Sequence, residues 1–258
     1  MVGICGLCGQ TRELQQSHLL PRALYKRLRD KSRGNPNPLL FSAKDEHQTS
    51  RQAVQYLLCS ECEQRFHRYG EDWTLEQCAR DANMFPLRDL LLRYPCDRAA
   101  EDFHIFRTAH IPTINAEALC YFALSVIWRA AVRRWRIDDQ VNEQLRLGSV
   151  YTEAFRAYLL GSESFPDDTA LFVCASSFQE VPLICTLPQT RNWGDYRSHF
   201  FSIPGLTFTV NVGKRIPDFV RQACLYRSVG RLLFYTPLED LVNIRDFARL
   251  AEMRETTT

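Results

Sequence analysis

Two Cys-x-x-Cys pairs, Cys5/Cys8 and Cys59/Cys62, constrain this chain more than any other feature. A Cys-x-x-Cys turn lets two thiolates converge on one metal, and two such turns supply the four soft ligands of a tetrahedral zinc. Four thiolates leave no open coordination position, so the pattern predicts a structural zinc. The spacer of 50 residues is longer than in a compact zinc ribbon. Two unrelated pairs in a reducing compartment remain the alternative. A thioredoxin-like role does not fit, because neither pair sits at a strand-to-helix turn of a βαβ unit. The other six cysteines (78, 96, 120, 174, 185 and 224) stand singly, mostly in apolar contexts, and read as reduced core residues.

The remaining composition sets the class. Apolar residues make up 45% and charged residues 24% of the 258, which is ordinary for a globular protein with a sizeable core. Net charge is +2, so any nucleic-acid contact must come from a local patch. The most apolar run, "ALCYFALSVI" at 118–127, is too short to span a bilayer and ends at Trp128 and Arg129. The first residues carry neither a basic n-region nor a long apolar run. The expectation is a cytoplasmic protein with no membrane partner.

Periodicity and breakers predict an α+β fold. A short helix starts at Pro21, and a proline-broken loop follows near 35–38. "AVQYLLC" reads as a strand into the second cysteine pair. The stretch after it is helical, with a possible break at Gly70. Residues 84–114 form a proline-containing connector. A strong helix is predicted over 115–137 with Asn115 as N-cap, and another before Gly161. Short apolar runs from 170 onward read as strands. "LTFTVNV" at 206–212 alternates strictly, as a half-buried antiparallel strand does. "RLLFYTP" is a further strand, and an amphipathic helix closes the chain. The expected division is a zinc-braced module over 1–83, then helices and an antiparallel-sheet α+β domain of unassigned role over 84–258.

Between the cysteine pairs lies Ser17-His18-Leu-Leu-Pro21, and Glu63 directly follows Cys62. The order Cys-x-x-Cys, His-x-x-Pro, a loop with Asn35 and Asn37, then Leu58-Cys59-x-x-Cys62 resembles the HNH endonucleases of ββα-metal fold. The resemblance covers about the first 75 residues. The chain is also similar to a group of bacterial proteins that carry Ser-His-x-x-Pro followed by Leu-Cys-x-x-Cys-Glu. The resemblance implies that His18 is the general base, that Asn35 or Asn37 orients it, and that a catalytic ion sits on the facing helix. Departures from the family pattern are Ser17, where aspartate or histidine is usual, and Glu63, where histidine or asparagine is usual. Glu63 and His67 are spaced i, i+4 and would share one helix face. A glutamate there favours magnesium or manganese. Glu71 extends that face if the helix continues past Gly70.

Each residue also has a structural reading. His18 can brace the turn before Pro21, and Glu63 can satisfy backbone donors at a helix start. His67 can be a solvated residue, Asn35 and Asn37 simple turn formers, and His47 a loop residue. Lys26, Arg27, Arg29 and Lys31 lie beside His18 and suit phosphate contacts, although charge runs are usually solvated faces. The second basic cluster, Arg129 to Arg136, reads as structural. The functional expectation is a metal-dependent endonuclease on DNA, less readily RNA, possible in restriction or phage defence by family analogy. The C-terminal domain would recognise substrate, a protein partner or a trigger. The alternative is a non-catalytic zinc module that binds nucleic acid or protein.

Overall fold

The strand that carries Cys59 returns to pair with the strand that carries His18, and this pairing organises the N-terminal part. The structure is a computed structural model and describes residues 1–27, 39–41, 46–48, 52–81, 83–99, 104–137, 140–141, 144–176, 185–226 and 231–236. Strand β1 (Val2–Ile4) turns through Cys5–Cys8 into β2 (Thr11–His18), pairing Val2 with Glu13. Gly9 closes that turn at φ +73°, a conformation that favours glycine, and its N–H donates to the Cys5 carbonyl at 2.9 Å. Helix α1 (Arg22–Arg27) starts after Pro21, as expected. A small hairpin, β3 (Leu39–Phe41) and β4 (Glu46–Gln48), precedes β5 (Val54–Cys59). β5 lies antiparallel to β2, with Ser17 opposite Gln55 and His18 opposite Val54.

The chain then enters a helix in three parts: α2 (Ser60–Phe66), a π-turn (His67–Glu71) and α3 (Asp72–Gln77). Gly70 does not break it. The junction residues Phe66 and Glu71 keep helical dihedrals, and one turn is widened instead. The reason is close approach: a Cβ on Gly70 would lie 2.9 Å from the Phe122 nitrogen and 3.0 Å from its Cα.

Beyond α4 (Pro86–Leu91), β6 (Arg98–Ala99) and β7 (His104–Arg107) comes α5 (Ala116–Val132). Asn115 caps it, its side chain accepting from the Ala118 N–H at 2.9 Å. Nearly every residue of α5 is buried, as befits a helix apolar on most sides. It ends five residues before the predicted 137. Arg133 is extended, and the Trp135 indole folds back to donate to the Arg129 carbonyl at 2.9 Å. The chain continues as β8 (Arg136–Ile137), paired with β9 (Gln140–Val141). Helix α6 (Ser149–Leu160) stops at left-handed Gly161, as expected.

The C-terminal strands are β10 (Thr169–Ser176), β11 (Cys185–Thr186), β12 (Gln189–Asn192), β13 (Arg197–Ile203) and β14 (Leu206–Val212). A short α7 (Asp218–Gln222) leads to β15 (Leu232–Thr236). Seven strands form one sheet in the order β12-β13-β14-β10-β15-β7-β6. All its pairs are antiparallel except β10–β15. Along β14 the apolar positions are buried and Thr207 and Thr209 are half-buried, as the alternation predicts, but Asn211 is buried as well, its side chain paired with Ser198. The architecture is therefore mixed α+β. The helix predicted at the C-terminus falls outside the described residues.

One core crosses residue 83. Phe122 on α5 meets Phe201 and Phe208 of the sheet at 6.0 and 5.4 Å between ring centroids. Tyr121 and Trp128 on the same helix meet Phe66 of α2 at 5.9 and 6.0 Å. β11 also pairs in parallel with β3, tying the N-terminal hairpin to the C-terminal strands. Among the described residues no helix is long and apolar enough to cross a membrane.

The Gly70 contact gives a direct test. Gly70→Ala forces backbone apart between the π-turn and α5, and is expected to cost about 1–3 kcal/mol in urea unfolding, as overpacking does.

Candidate metal centre and the buried polar cluster beside it

Cys5 and Cys8 come from the β1–β2 turn, Cys59 ends β5, and Cys62 lies in the first turn of α2. Their sulfurs all lie within 4.8 Å of one another. Tetrahedral zinc with bonds of about 2.3 Å sets sulfurs about 3.8 Å apart, so the four fit one ion. Backbone donors support the charge such a site collects: the Cys59 N–H donates to Cys5 Sγ at 3.3 Å. From α6, Arg156 donates to the Leu7 carbonyl at 2.8 Å and fixes the outer knuckle.

The thiols already compete for protons. A hydrogen bond with Cys62 is the main reason the Cys5 pKa is lowered to about 4, against the opposing effect of burial. The same bond, with burial, pushes Cys62 up. Burial is the main reason Cys59 is raised. Four crowded thiols cannot all ionise unaided, whereas a divalent cation takes the place of their protons. These four cysteines could therefore hold a structural metal such as zinc. Among the described residues they are the group of three or more Cys, His, Asp or Glu ligands that converges in this way.

A second cluster lies where β2, the long helix and α5 meet. Ser17 is fully buried, and its Oγ accepts from the Leu58 N–H at 3.1 Å. Its hydroxyl hydrogen-bonds Glu63. Burial raises the Glu63 pKa, and the Ser17 bond and Arg129 oppose that rise. One carboxylate oxygen of Glu63, Oε1, is buried without a hydrogen-bond partner among the described residues. Such an oxygen is costly unless something meets it.

Arg129 of α5 is 1% exposed and joins the parts. Its Nη1 donates to the His18 carbonyl at 2.8 Å. Its Nη2 donates to Glu71 Oε1 at 3.0 Å and to Ser125 Oγ at 3.3 Å. Its Nε donates to the Ser125 carbonyl at 3.3 Å, and its guanidinium lies 5.2 Å from the Phe66 ring centroid. Burial chiefly lowers the His18 pKa, helped by Arg22 and Arg129 and opposed by Glu71 and Gln52.

The structure thus gathers Ser17, His18, Glu63, Glu71 and Arg129. It does not bring His67 to them. The His67 side chain is 66% exposed and its Nδ1 pairs with Asp72. The π-turn bears on Glu71 and not on His67, whose N–H still bonds the Glu63 carbonyl as in an α-helix. It takes up one extra residue, so position i+8 replaces i+7 on the face that Glu63 begins. Lys26 is exposed on α1. Arg27 ends α1, with its side chain outside the described residues, as are Asn35, Asn37, Arg29 and Lys31 altogether. Sequence reasoning missed Arg129 as a partner of His18, and nothing local to position 129 pointed to it.

Comparisons of the chain with family models, with curated proteins and with solved structures found no match.

Purified protein is expected to carry about one zinc per chain by elemental analysis, and Cys62→Ser to lose it with a lower Tm, since structural zinc contributes folding free energy. The ion pair gives a second test. Arg129→Met strands a buried carboxylate and is expected to cost about 3–5 kcal/mol in urea unfolding. Adding Glu71→Gln should recover part of that loss, which a double-mutant cycle measures.

Proposed function

We propose that this chain is a metal-dependent endonuclease of HNH type that hydrolyses phosphodiester bonds in DNA. The observation that carries the reading is the buried oxygen of Glu63, unpartnered among the described residues, beside the strand end that bears His18. An antiparallel strand pair followed by a helix, braced by four cysteines, supports the ββα-metal arrangement.

The donors suit a hard cation. Glu63 offers a carboxylate oxygen, and Glu71 is a second carboxylate in the same cluster. Magnesium and manganese are often held by one or two carboxylates, with water and substrate phosphate completing the shell. Bound there, the ion would stabilise charge developing on the leaving oxygen. His18 supplies the proton acceptor. Its lowered pKa keeps the imidazole neutral at pH 7, ready to take a proton from the attacking water. Ser17 acts as a clamp on Glu63 in this reading, in the place where the family usually has a ligand. Lys26, on the helix that follows His18, suits a substrate phosphate. Asn35 or Asn37 remains the proposed orienting group.

One observation favours the non-catalytic zinc module instead: Arg129 already neutralises Glu71, leaving Glu63 as the carboxylate free to meet an ion. Nicking of supercoiled plasmid separates the two. With magnesium or manganese the protein should nick DNA, and His18→Ala or Glu63→Gln should reduce the rate by about 100-fold or more. His67→Ala should leave it nearly unchanged, and zinc content should stay constant in all three. The acid limb of the rate profile should have its midpoint below 6.5, because a base with a lowered pKa loses activity only when more acid protonates it. A protein inert on DNA and RNA with every divalent ion overturns the enzyme reading.

A further inference from the structure

The basic run at the end of α5 divides. Arg129 is buried in the polar cluster with Glu71 and His18, whereas Arg133, Arg134 and Arg136 are exposed. Arg134 faces an open cavity of about 1000 Å³, which Arg146 and Arg197 also line. These three arginines come from separate parts of the chain: the segment after α5, the segment before α6, and the start of β13.

The surrounding backbone holds this arrangement in place. The Leu145 N–H donates to the Ala130 carbonyl at 3.0 Å, and the Gln144 side chain donates to the Ala131 carbonyl. Arg197 Nη1 donates to the Arg146 carbonyl at 2.8 Å. Among the described residues none of the three has a carboxylate partner. Glu153, which also lines the cavity, is held by Arg156 at 2.7 Å.

We propose that this cavity is a binding surface for the phosphodiester backbone of duplex DNA. It rests on the proposed nuclease reading and extends it. Three guanidinium groups suit phosphate oxygens, which arginine meets with paired N–H donors. The cavity is open, as an extended polyanion requires. The backbone of Arg134 also meets β5, the strand paired with the one that bears His18. The Arg134 carbonyl accepts from Gln55 Nε2 at 3.4 Å, and Gln55 is the cross-strand partner of Ser17. Net charge of only +2 makes such a local patch necessary for binding.

Fluorescence anisotropy with a labelled 30-base-pair duplex tests it. The full chain carries His18→Ala to prevent cleavage, and no chelator is added, so the cysteine site keeps its metal. Replacing Arg134 and Arg146 with glutamine should weaken binding by about tenfold or more and lower the salt slope by about one per arginine. Arg134→Lys with Arg146→Lys should retain most of the salt slope. Replacing the exposed Arg98 and Arg215 with glutamine removes the same charge elsewhere and should change binding little. Equal losses in both pairs, an unchanged salt slope in the first, or no duplex binding at all would overturn the proposal. The result is independent of cleavage. Selective loss in the first pair upholds the surface even if the wild type never nicks plasmid. Nicking by the wild type with an unchanged slope removes the surface and leaves the nuclease reading standing.

Discussion

A buried guanidinium is the constraint on which the centre of this molecule depends. Removing Arg129 from water costs several kcal/mol, and only good geometry with full hydrogen bonding offsets that. Its acceptors come from three places: the carbonyl that ends β2, the carboxylate in the π-turn, and Ser125 one turn back in α5. The Phe66 ring adds a face from α2. None of these elements satisfies the arginine alone. The charge therefore favours one relative placement of strand, helix and α5 over any slipped alternative. This fixes the position of His18 as well, because its carbonyl is one of the anchors.

The π-turn belongs to the same solution. α5 approaches the long helix so closely at Gly70 that Phe122 backbone occupies the space of a Cβ. Widening one turn keeps the helix intact there and shifts the register of α3 by one residue. Glu71 lies in that widened turn and meets Arg129, while the His67 side chain at its start pairs with Asp72. A pure α-helical reading places Glu63 and His67 on one face by the i, i+4 rule. Winding between the two is α-helical, since the His67 N–H still bonds the Glu63 carbonyl, and it is the His67 side chain that turns away to pair with Asp72. The sequence carried a partial signal, since Glu71 belongs to that face if the helix survives Gly70.

Legibility followed the range of the physics. The cysteine set was readable because thiolate chemistry and Cys-x-x-Cys spacing are local. The Asn115 cap, the Gly161 stop and the alternation of β14 were readable for the same reason. The end of α5 was not. Residues 133–137 have helix-compatible identities, but Trp135 turns back onto Arg129 and the chain leaves as a strand. The parallel β10–β15 pair was also hidden, because alternation reports which face is buried and not which neighbour is bonded. Arg129 was hidden most of all. The sequence reading took the whole cluster, Arg129 to Arg136, as structural, and only partners 58 and 111 residues away mark Arg129 as its buried member.

Cys62 and Glu63 show how the brace and the polar cluster are coupled. Neighbours on an α-helix point about 100° apart, so adjacent residues serve different surroundings. Cys62 turns to the other three sulfurs, and Glu63 turns to Ser17. The cysteine set fixes where α2 begins and how it is rotated. That rotation delivers the Glu63 carboxylate to a buried position where one oxygen has no partner among the described residues. A soft-ligand centre and a hard oxygen thus stand side by side in sequence, the thiolates suited to zinc and the carboxylate to magnesium or manganese. Loss of metal from the cysteines would release the rotation of α2, and with it the placement of Glu63 against β2. The structural centre and the candidate reactive one are therefore a single mechanical unit.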